Sequence, residues 1–499
     1  LAGTVALKRV LNRGVLAADE KMVGVLVPPS VGGALINTAL SLDHRVAVNL
    51  NYTLSPDVMN FCISECGIKT VVTSRAFMEK RPFEPDDAKL VYLEDLAQQV
   101  SFFDKLVGGY QAKFCSPEKL DRIHDLNSIQ PEDLLTIIFT SGSTGNPKGV
   151  KLSNRNVSSN IAAVNELFHI TEKDVILGVL PFFHSFGYTG TLWLTMSLEA
   201  SSVYHFNPLD SRTVGTLSDE HDVSIILATP TFLRSYMRRC TPEQMHHLDL
   251  VIVGAEKLPK DLAEQFKEKF GVEPTEGYGT TELSPVASMN VPDHRASEGA
   301  DPGTRLGTVG KVAPGSEIKV VDPDSRADLG LDTEGLLMYR GPNVMVGYLN
   351  NDEATAEKIR DGWYDTGDMG VIDEEGFITI TGRMSRFSKI GGEMVPHIKI
   401  EQELERLIEG EDEDPMIQVA VTAVPDARKG ERLIVLHRPL GDKTIDGLLQ
   451  SLSDLGLPNI WIPSSDSFLE VEEIPLLGTG KMDLKAVQQV ATDNFTDGE

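Results

Sequence analysis

An apolar run from Leu134 to Phe139 stops at Thr140, Ser141, Gly142, Ser143 and Thr144, and a single lysine, Lys148, follows Pro147. Glycines let backbone N–H groups crowd around an anion, hydroxyls add donors, and a lysine adds charge. That combination suits a polyphosphate. It is not a Walker A loop, because Pro147 precedes the lysine and neither Ser nor Thr follows it. A Gly/Ser loop alone reads equally well as a surface turn, so the weight falls on what accompanies it.

Further segments follow in order. Gly254, Ala255 and Glu256 succeed a second apolar run. Residues 277–282 read Gly-Tyr-Gly-Thr-Thr-Glu, residues 363–368 read Trp-Tyr-Asp-Thr-Gly-Asp, and residues 475–481 read Pro-Leu-Leu-Gly-Thr-Gly-Lys. Gly382, Arg383, Lys389 and Gly392 lie between the last two. Taken singly, Glu282 is equally a carboxylate at a helix start and Asp368 a turn cap. As an ordered set over nearly the whole chain, the segments resemble the motifs of the adenylate-forming superfamily of acyl-CoA synthetases, adenylation domains and luciferases.

The resemblance implies two steps. A carboxylate attacks the α-phosphate of ATP, giving an acyl adenylate and pyrophosphate, and a thiol then takes the acyl group and releases AMP. The first step brings two anions together and needs cations and oriented donors. By resemblance, Thr140, Ser141, Gly142, Ser143, Thr144 and Lys148 hold the β- and γ-phosphates. Gly254, Ala255 and Glu256 lie on the adenine side, with Tyr278, Gly279 and Thr280 in the second nucleotide motif. Tyr278 stacks on adenine and Thr281 reaches the α-phosphate. Glu282 holds Mg²⁺, a hard ion suited to carboxylate oxygen. Asp368 accepts from the ribose hydroxyls, Arg383 reaches ribose or phosphate, and Lys481 bridges the substrate carboxylate and the α-phosphate. His184, in Pro-Phe-Phe-His-Ser-Phe-Gly, matches the gate of the carboxylate site. Residues 181–193 contain no Asp or Glu, and a buried ammonium without a partner is costly. The expected substrate is therefore a fatty acid rather than an amino acid.

At 499 residues, two or more domains are expected. Hydrophobic content of 41% with 24% charged residues describes a water-soluble globular chain, and a net charge of −28 argues against nucleic-acid partners. No apolar run approaches the roughly 20 residues that span a bilayer. Cys62, Cys66, Cys115 and Cys240 give no metal or disulfide spacing, which points to buried thiols in a reducing, cytoplasmic compartment. The chain starts at Leu1 rather than Met and is read as a piece of a longer polypeptide.

These groups need a scaffold to hold them. Strands are expected over 22–27, 45–48, 68–73, 224–228 and 248–253, with helices over 33–41, 230–239 and 259–270. Ser55 and Pro56 start another helix. This alternation predicts an α/β sheet wound on both faces. From about residue 315 short strands take over, with a hairpin around residues 374–376 and then an amphipathic helix over 396–408. The expected fold is a large N-terminal α/β domain with layered sheets and a β-rich subdomain, plus a small C-terminal α+β domain. The resemblance places the boundary at 384–386, giving residues 1–384 and 385–499, with Ser385 at the pivot. The acidic run over 409–414 reads as a solvated loop.

Within the superfamily, residues 383–395 and 474–481 most resemble the acyl–acyl carrier protein synthetase part of bifunctional 2-acylglycerophosphoethanolamine acyltransferases. That implies transfer to acyl carrier protein within phospholipid reacylation, at the cytoplasmic face of a membrane, with peripheral membrane association through a fused domain. The acyltransferase spacing His-x₄-Asp occurs at His205/Asp210 and His437/Asp442, and both are read as accidental. CoA as thiol acceptor and a non-catalytic domain of the same fold stand as alternatives. Arg234, Arg238 and Arg239, at helical spacing, form either a carrier-docking patch or a solvated face.

Overall fold

A computed structural model describes residues 1–140, 146–301, 303–391, 393–409, 417–426, 428–476 and 482–495. Two seven-stranded sheets carry the N-terminal part. The first has the order Gly347–Tyr348, Lys148–Ser153, Leu134–Thr140, Val46–Asn49, Met22–Leu26, Thr70–Thr73, Lys89–Tyr92. The second runs Lys311–Val312, Val286–Met289, Thr275–Gly279, Leu250–Val253, Ile225–Ala228, Val175–Gly178, Ser201–Tyr204. Their central strands are parallel and buried along their length, as near-continuous Val/Ile/Leu runs require when helices cover both faces.

The expected strands and helices are present, with ends moved by at most two residues. Helix Pro230–Arg239 has the expected bounds, and its N-cap Thr229 accepts from Phe232 N–H. Helix Pro56–Glu65 starts at Ser55 with Pro56 in its first turn, although Ser55 makes no side-chain cap bond. The expected loop lysine is displaced: Lys148 opens strand Lys148–Ser153 and lies opposite Thr140 in an antiparallel pair. Its backbone is thereby fixed by a sheet ladder. Cys62, Cys66 and Cys240 are buried free thiols as expected, whereas Cys115 is only half-buried, and burial pushes the Cys62 thiol up to about 12.

One hydrophobic cluster joins the layers. Ile138 and Val150 of the first sheet, Ile252 and Ala287 of the second, Val157 and Ile161 of helix Asn154–Leu167, and Tyr339 and Tyr364 of a third sheet all belong to it. This third sheet contains Glu317–Val321, Gly335–Arg340, Trp363–Ile372 and Ile359–Arg360, with Ile378–Arg383 paired to Trp363–Ile372. The expected hairpin closes it, turning at Gly376 with φ +85°. Fixing three layers through one close-packed core holds their facing edges in register.

Beyond the short turn Met384–Arg386 comes a hairpin, Phe387–Ile390 with Glu393–Pro396, then helix His397–Glu409. A three-stranded sheet follows, Val419–Asp426, Gly430–His437 and Phe468–Glu470, flanked by helices Ile445–Asp454 and Leu484–Phe495. It has its own cores, one around Ile400, Leu404, Val421 and Leu452 and another around Ala420, Ile434 and Val487. Most of the acidic run over 409–414 lies outside the described residues.

Candidate active site

Parallel strands Ile225–Ala228 and Leu250–Val253 end side by side, and Thr275–Gly279, parallel to the latter at Thr275 and Glu276, runs on past them against Val286–Met289. Their carboxyl ends carry the adenine-side and second nucleotide segments, where open α/β sheets bind ligands. Gly254 N–H donates to Ala228 O, and Ala255 adopts φ +69°. Glu256 accepts from Thr231 Oγ1 at 2.9 Å, which ties the turn to helix Pro230–Arg239. Gly279 has a steric reason to be glycine: a Cβ there would stand 2.0 Å from Pro285 O. Thr280 N–H donates to that same carbonyl, and the chain enters the turn Thr281–Leu283 that presents Glu282.

Two polar links draw the other sheets to these ends. Tyr278 Oη donates to Asp368 Oδ2, and Arg383 Nε lies 2.9 Å from Asp368 Oδ1. Asp368 and Arg383 are cross-strand partners, so the pairing register itself places the charges together. Asp368 is buried. Burial raises its carboxyl above the usual carboxylate range, while Arg383 and Tyr278 pull it back. Burial drives the Tyr278 phenol far above its ordinary value, so it stays a donor. Both Asp368 oxygens are engaged. Each still has lone-pair capacity for a ligand hydroxyl.

The second link uses a residue that the sequence analysis did not single out. Tyr348 Oη donates to Glu282 Oε1 at 2.8 Å, and Lys148 Nζ stands 5.2 Å from the Tyr348 ring centroid. Tyr348 pairs with Val150 on the edge of the first sheet. A cation, an aromatic ring and a carboxylate thus line up between the phosphate segment and the second sheet. Nothing local in the sequence announces this, because the three residues are far apart along the chain.

His184 is exposed at the start of helix Ser185–Gly187, its ring 4.6 Å from that of Phe183. Phe183 packs edge-on against Tyr52. Ser185 Oγ lies 3.5 Å from Thr281 Oγ1, which brings the His184 segment beside the nucleotide turn. The structure therefore gathers Thr140, Lys148, Gly254, Ala255, Glu256, Tyr278, Gly279, Thr280, Thr281, Glu282, Asp368, Arg383 and His184 around the facing edges of three sheets. Ser141, Gly142, Ser143, Thr144, Gly392 and Lys481 lie outside the described residues.

No cluster of three or more metal-ligating side chains occurs among the described residues. Mg²⁺ accompanying a nucleotide needs only one or two carboxylates plus phosphate oxygens and water. Glu282, with Oε1 engaged by Tyr348, fits that donor set.

The AMP-binding enzyme family matches residues 7–349. The chain belongs to that family. Residues 7–349 end just past Tyr348, so this AMP-binding enzyme carries its third-sheet charges, Asp368 and Arg383, beyond the matched stretch. It is 27% identical over 405 residues to a long-chain-fatty-acid–CoA ligase of Bacillus subtilis, covering 79% of this chain and 68% of the relative. It is 30% identical over 365 residues to an indoleacetate–CoA ligase of Aromatoleum aromaticum, covering 72% and 68%. Among solved structures, ATP-bound MatB from Rhodopseudomonas palustris superposes with a TM-score of 0.78 at 25% identity, over 99% of this chain and 93% of that one. The adenylate-forming superfamily and its large α/β plus small C-terminal architecture, both expected from the sequence, hold.

Glu276 is a further group that sequence reasoning missed. It is buried, Leu258 N–H donates to its Oε1, and burial pushes its carboxyl up to about 7. Between its ordinary value of 4.5 and about 7 the native state holds a proton that the unfolded chain has released. Stability from this group is complete below the lower value and falls as pH rises through the upper one. A shift of this size corresponds to roughly 3 kcal/mol. Glu276→Gln keeps an acceptor for Leu258 and removes the titration. Urea denaturation from about pH 5 to about pH 8 should show wild-type stability falling relative to Glu276→Gln. Parallel curves for the two proteins would contradict the assignment.

Proposed function

We propose that this AMP-binding enzyme is an ATP-dependent acid–thiol ligase that activates a fatty acid as its acyl adenylate and passes it to a thiol. The observation that carries the reading is the meeting of Lys148, Glu282 and the buried Asp368, with its partners Tyr278 and the exposed Arg383, where three sheets face one another. Fixed positive charge and donors on one side and a buried ribose-type acceptor on the other match what a nucleoside triphosphate requires.

The chain's own groups divide the work. Thr140 and Lys148, with Ser141, Gly142, Ser143 and Thr144, cradle the outer phosphates. Gly254, Ala255, Glu256 and Tyr278 bound the base, with Gly279 and Thr280 shaping the turn beside it. Asp368 accepts from ribose, and its contact with Arg383 offsets part of the cost of burying it. Thr281 reaches the α-phosphate, Arg383 the ribose or phosphate, and Lys481 bridges the substrate carboxylate and the α-phosphate. Mg²⁺ bound at Glu282 would offset phosphate charge.

An acyl rather than aminoacyl substrate is supported by the acid-free segment around His184, whose Phe182, Tyr188 and Leu192 are buried. As thiol acceptor we propose acyl carrier protein, within phospholipid reacylation. Support comes from the sequence resemblance of the C-terminal segments and from the exposed Arg234, Arg238 and Arg239. They ride on a helix whose first turn contacts Glu256, about 5 to 12 Å away along its axis. CoA is the second reading, favoured by the CoA ligases among the relatives. Lys481→Ala should lower fatty-acid-dependent pyrophosphate exchange by at least about a hundredfold. Thioester formation from supplied acyl adenylate should persist, with carrier protein and CoA compared side by side. Equal loss of both half-reactions removes Lys481 from the adenylation step, and no exchange with any fatty acid in the wild type overturns the ligase reading.

We also propose that Ser385 is the pivot between 1–384 and 385–499. Its neighbours on either side are anchored in opposite directions. Arg383 holds Asp368, whereas Arg386 is buried against Glu401 of helix His397–Glu409. Ser385 itself is exposed. Proline fixes φ and restricts the residue before it, and a few hinge dihedrals absorb domain rotation. Ser385→Pro should leave pyrophosphate exchange near normal and cut thioester formation at least about tenfold. Unchanged thioester formation would place the pivot elsewhere.

A further inference from the structure

Helix Phe102–Phe114 is amphipathic with its polarity inverted. The side facing the protein carries Asp104, Gly108 and Gln111, and Asp104 is fully buried. The side facing out carries Phe102, Leu106, Tyr110 and Phe114 at four-residue spacing, with Phe103 alongside. Phe102 is 81% exposed and Phe114 66%. Such spacing puts the large apolar groups on one face.

The orientation is firmly set. Arg13 and Arg9 both pair with Asp104, and a capping box links Asp104 to Ser101. Arg13, assisted by Ser101 and Arg9, holds the Asp104 carboxyl well below the usual carboxylate range. Gln111 Oε1 lies 2.8 Å from His124 Nε2, and Gly108 sits where a Cβ would be 2.4 Å from Ala2 O. The helix cannot roll its aromatic face inward without exposing these pairings. A fixed, contiguous apolar face of this kind marks an interaction surface.

We propose that this face docks on an anionic lipid surface. Charge selects the occupant. The chain carries −28 overall, yet the helix presents Lys105 and Lys113 and no exposed carboxylate, its one acid being the buried Asp104. Lys113 Nζ lies 5.5 Å from the Phe114 ring centroid and Lys119 Nζ 5.2 Å from that of Tyr110. Aromatic and leucine side chains interleaved with lysines match the boundary between acyl chains and anionic headgroups, where lysine stems lie along apolar surface and their charges reach phosphate. No helix among the described residues is long and apolar enough to cross a membrane, so the contact is peripheral. It belongs to this chain's own helix and stands independently of the ligase reading.

The test is co-sedimentation of the full 499-residue chain with vesicles. The chain should pellet with vesicles of phosphatidylglycerol and phosphatidylcholine in equal parts, and at least about tenfold less with phosphatidylcholine alone. Phe103→Ser combined with Phe114→Ser should weaken binding to the anionic vesicles by more than about tenfold. Lys105→Glu combined with Lys113→Glu should abolish the preference for anionic lipid. Leu331→Ser, at an exposed apolar residue elsewhere, should bind as wild type. Because the replaced side chains are exposed, thermal melting should be unchanged, and the lysine variant keeps the test independent of the phenylalanine one. Wild type remaining in the supernatant with both vesicle types, or variants pelleting like wild type, overturns the proposal. So does a dimer in sedimentation velocity that the phenylalanine variant dissociates, since a second copy would then cover the face.

Discussion

The buried Asp368 carboxylate is the constraint on which the site depends. A carboxylate removed from water is costly unless donors surround it. Here those donors come from different sheets: Tyr278 from the end of a central parallel strand, Arg383 from the adjacent antiparallel strand. Satisfying one charge therefore ties the second and third sheets together. The cost of burial is visible in the raised carboxyl pKa, and the two donors hold the carboxylate in a fixed position.

The first sheet is joined by a different device. Tyr348 stands between Lys148 and Glu282, offering its ring face to the lysine and its hydroxyl proton to the carboxylate. Burial, with Glu282 reinforcing it, pushes the Tyr348 phenol upward, so the proton stays on the donor. Tyr348 thus links the lysine and the carboxylate through its ring and its hydroxyl. Backbone approach completes the arrangement, since Gly279 permits the carbonyl of Pro285 to come where any side chain would collide.

Helix Phe102–Phe114 applies the same principle for another purpose. Asp104, satisfied by two arginines and a cap, fixes the polar side inward. The aromatic residues left outside are consequently a fixed surface. In both places a buried carboxylate with assigned partners determines which way neighbouring groups point.

The superfamily, the order of the motifs and most central elements were legible in the unfolded chain. Motif strings and apolar periodicity are local, and strands such as Leu250–Val253 and helices such as Pro230–Arg239 follow from side chains within a few positions. Asp368 and Arg383 were legible as candidates, but their pairing was not, because it arises from strand register. Lys148 was legible as a cation and misplaced as a loop residue, because the ladder opposite Thr140 is not written in its own neighbours. Tyr348, Glu276 and the outward face of Phe102–Phe114 acquired their meaning on folding. Their significance lies in what stands across from them: Glu282, the Leu258 N–H, and the arginines that hold Asp104. Composition and spacing state which groups a chain possesses, while burial and partnership, which set charge state and direction, come into being when distant segments pack.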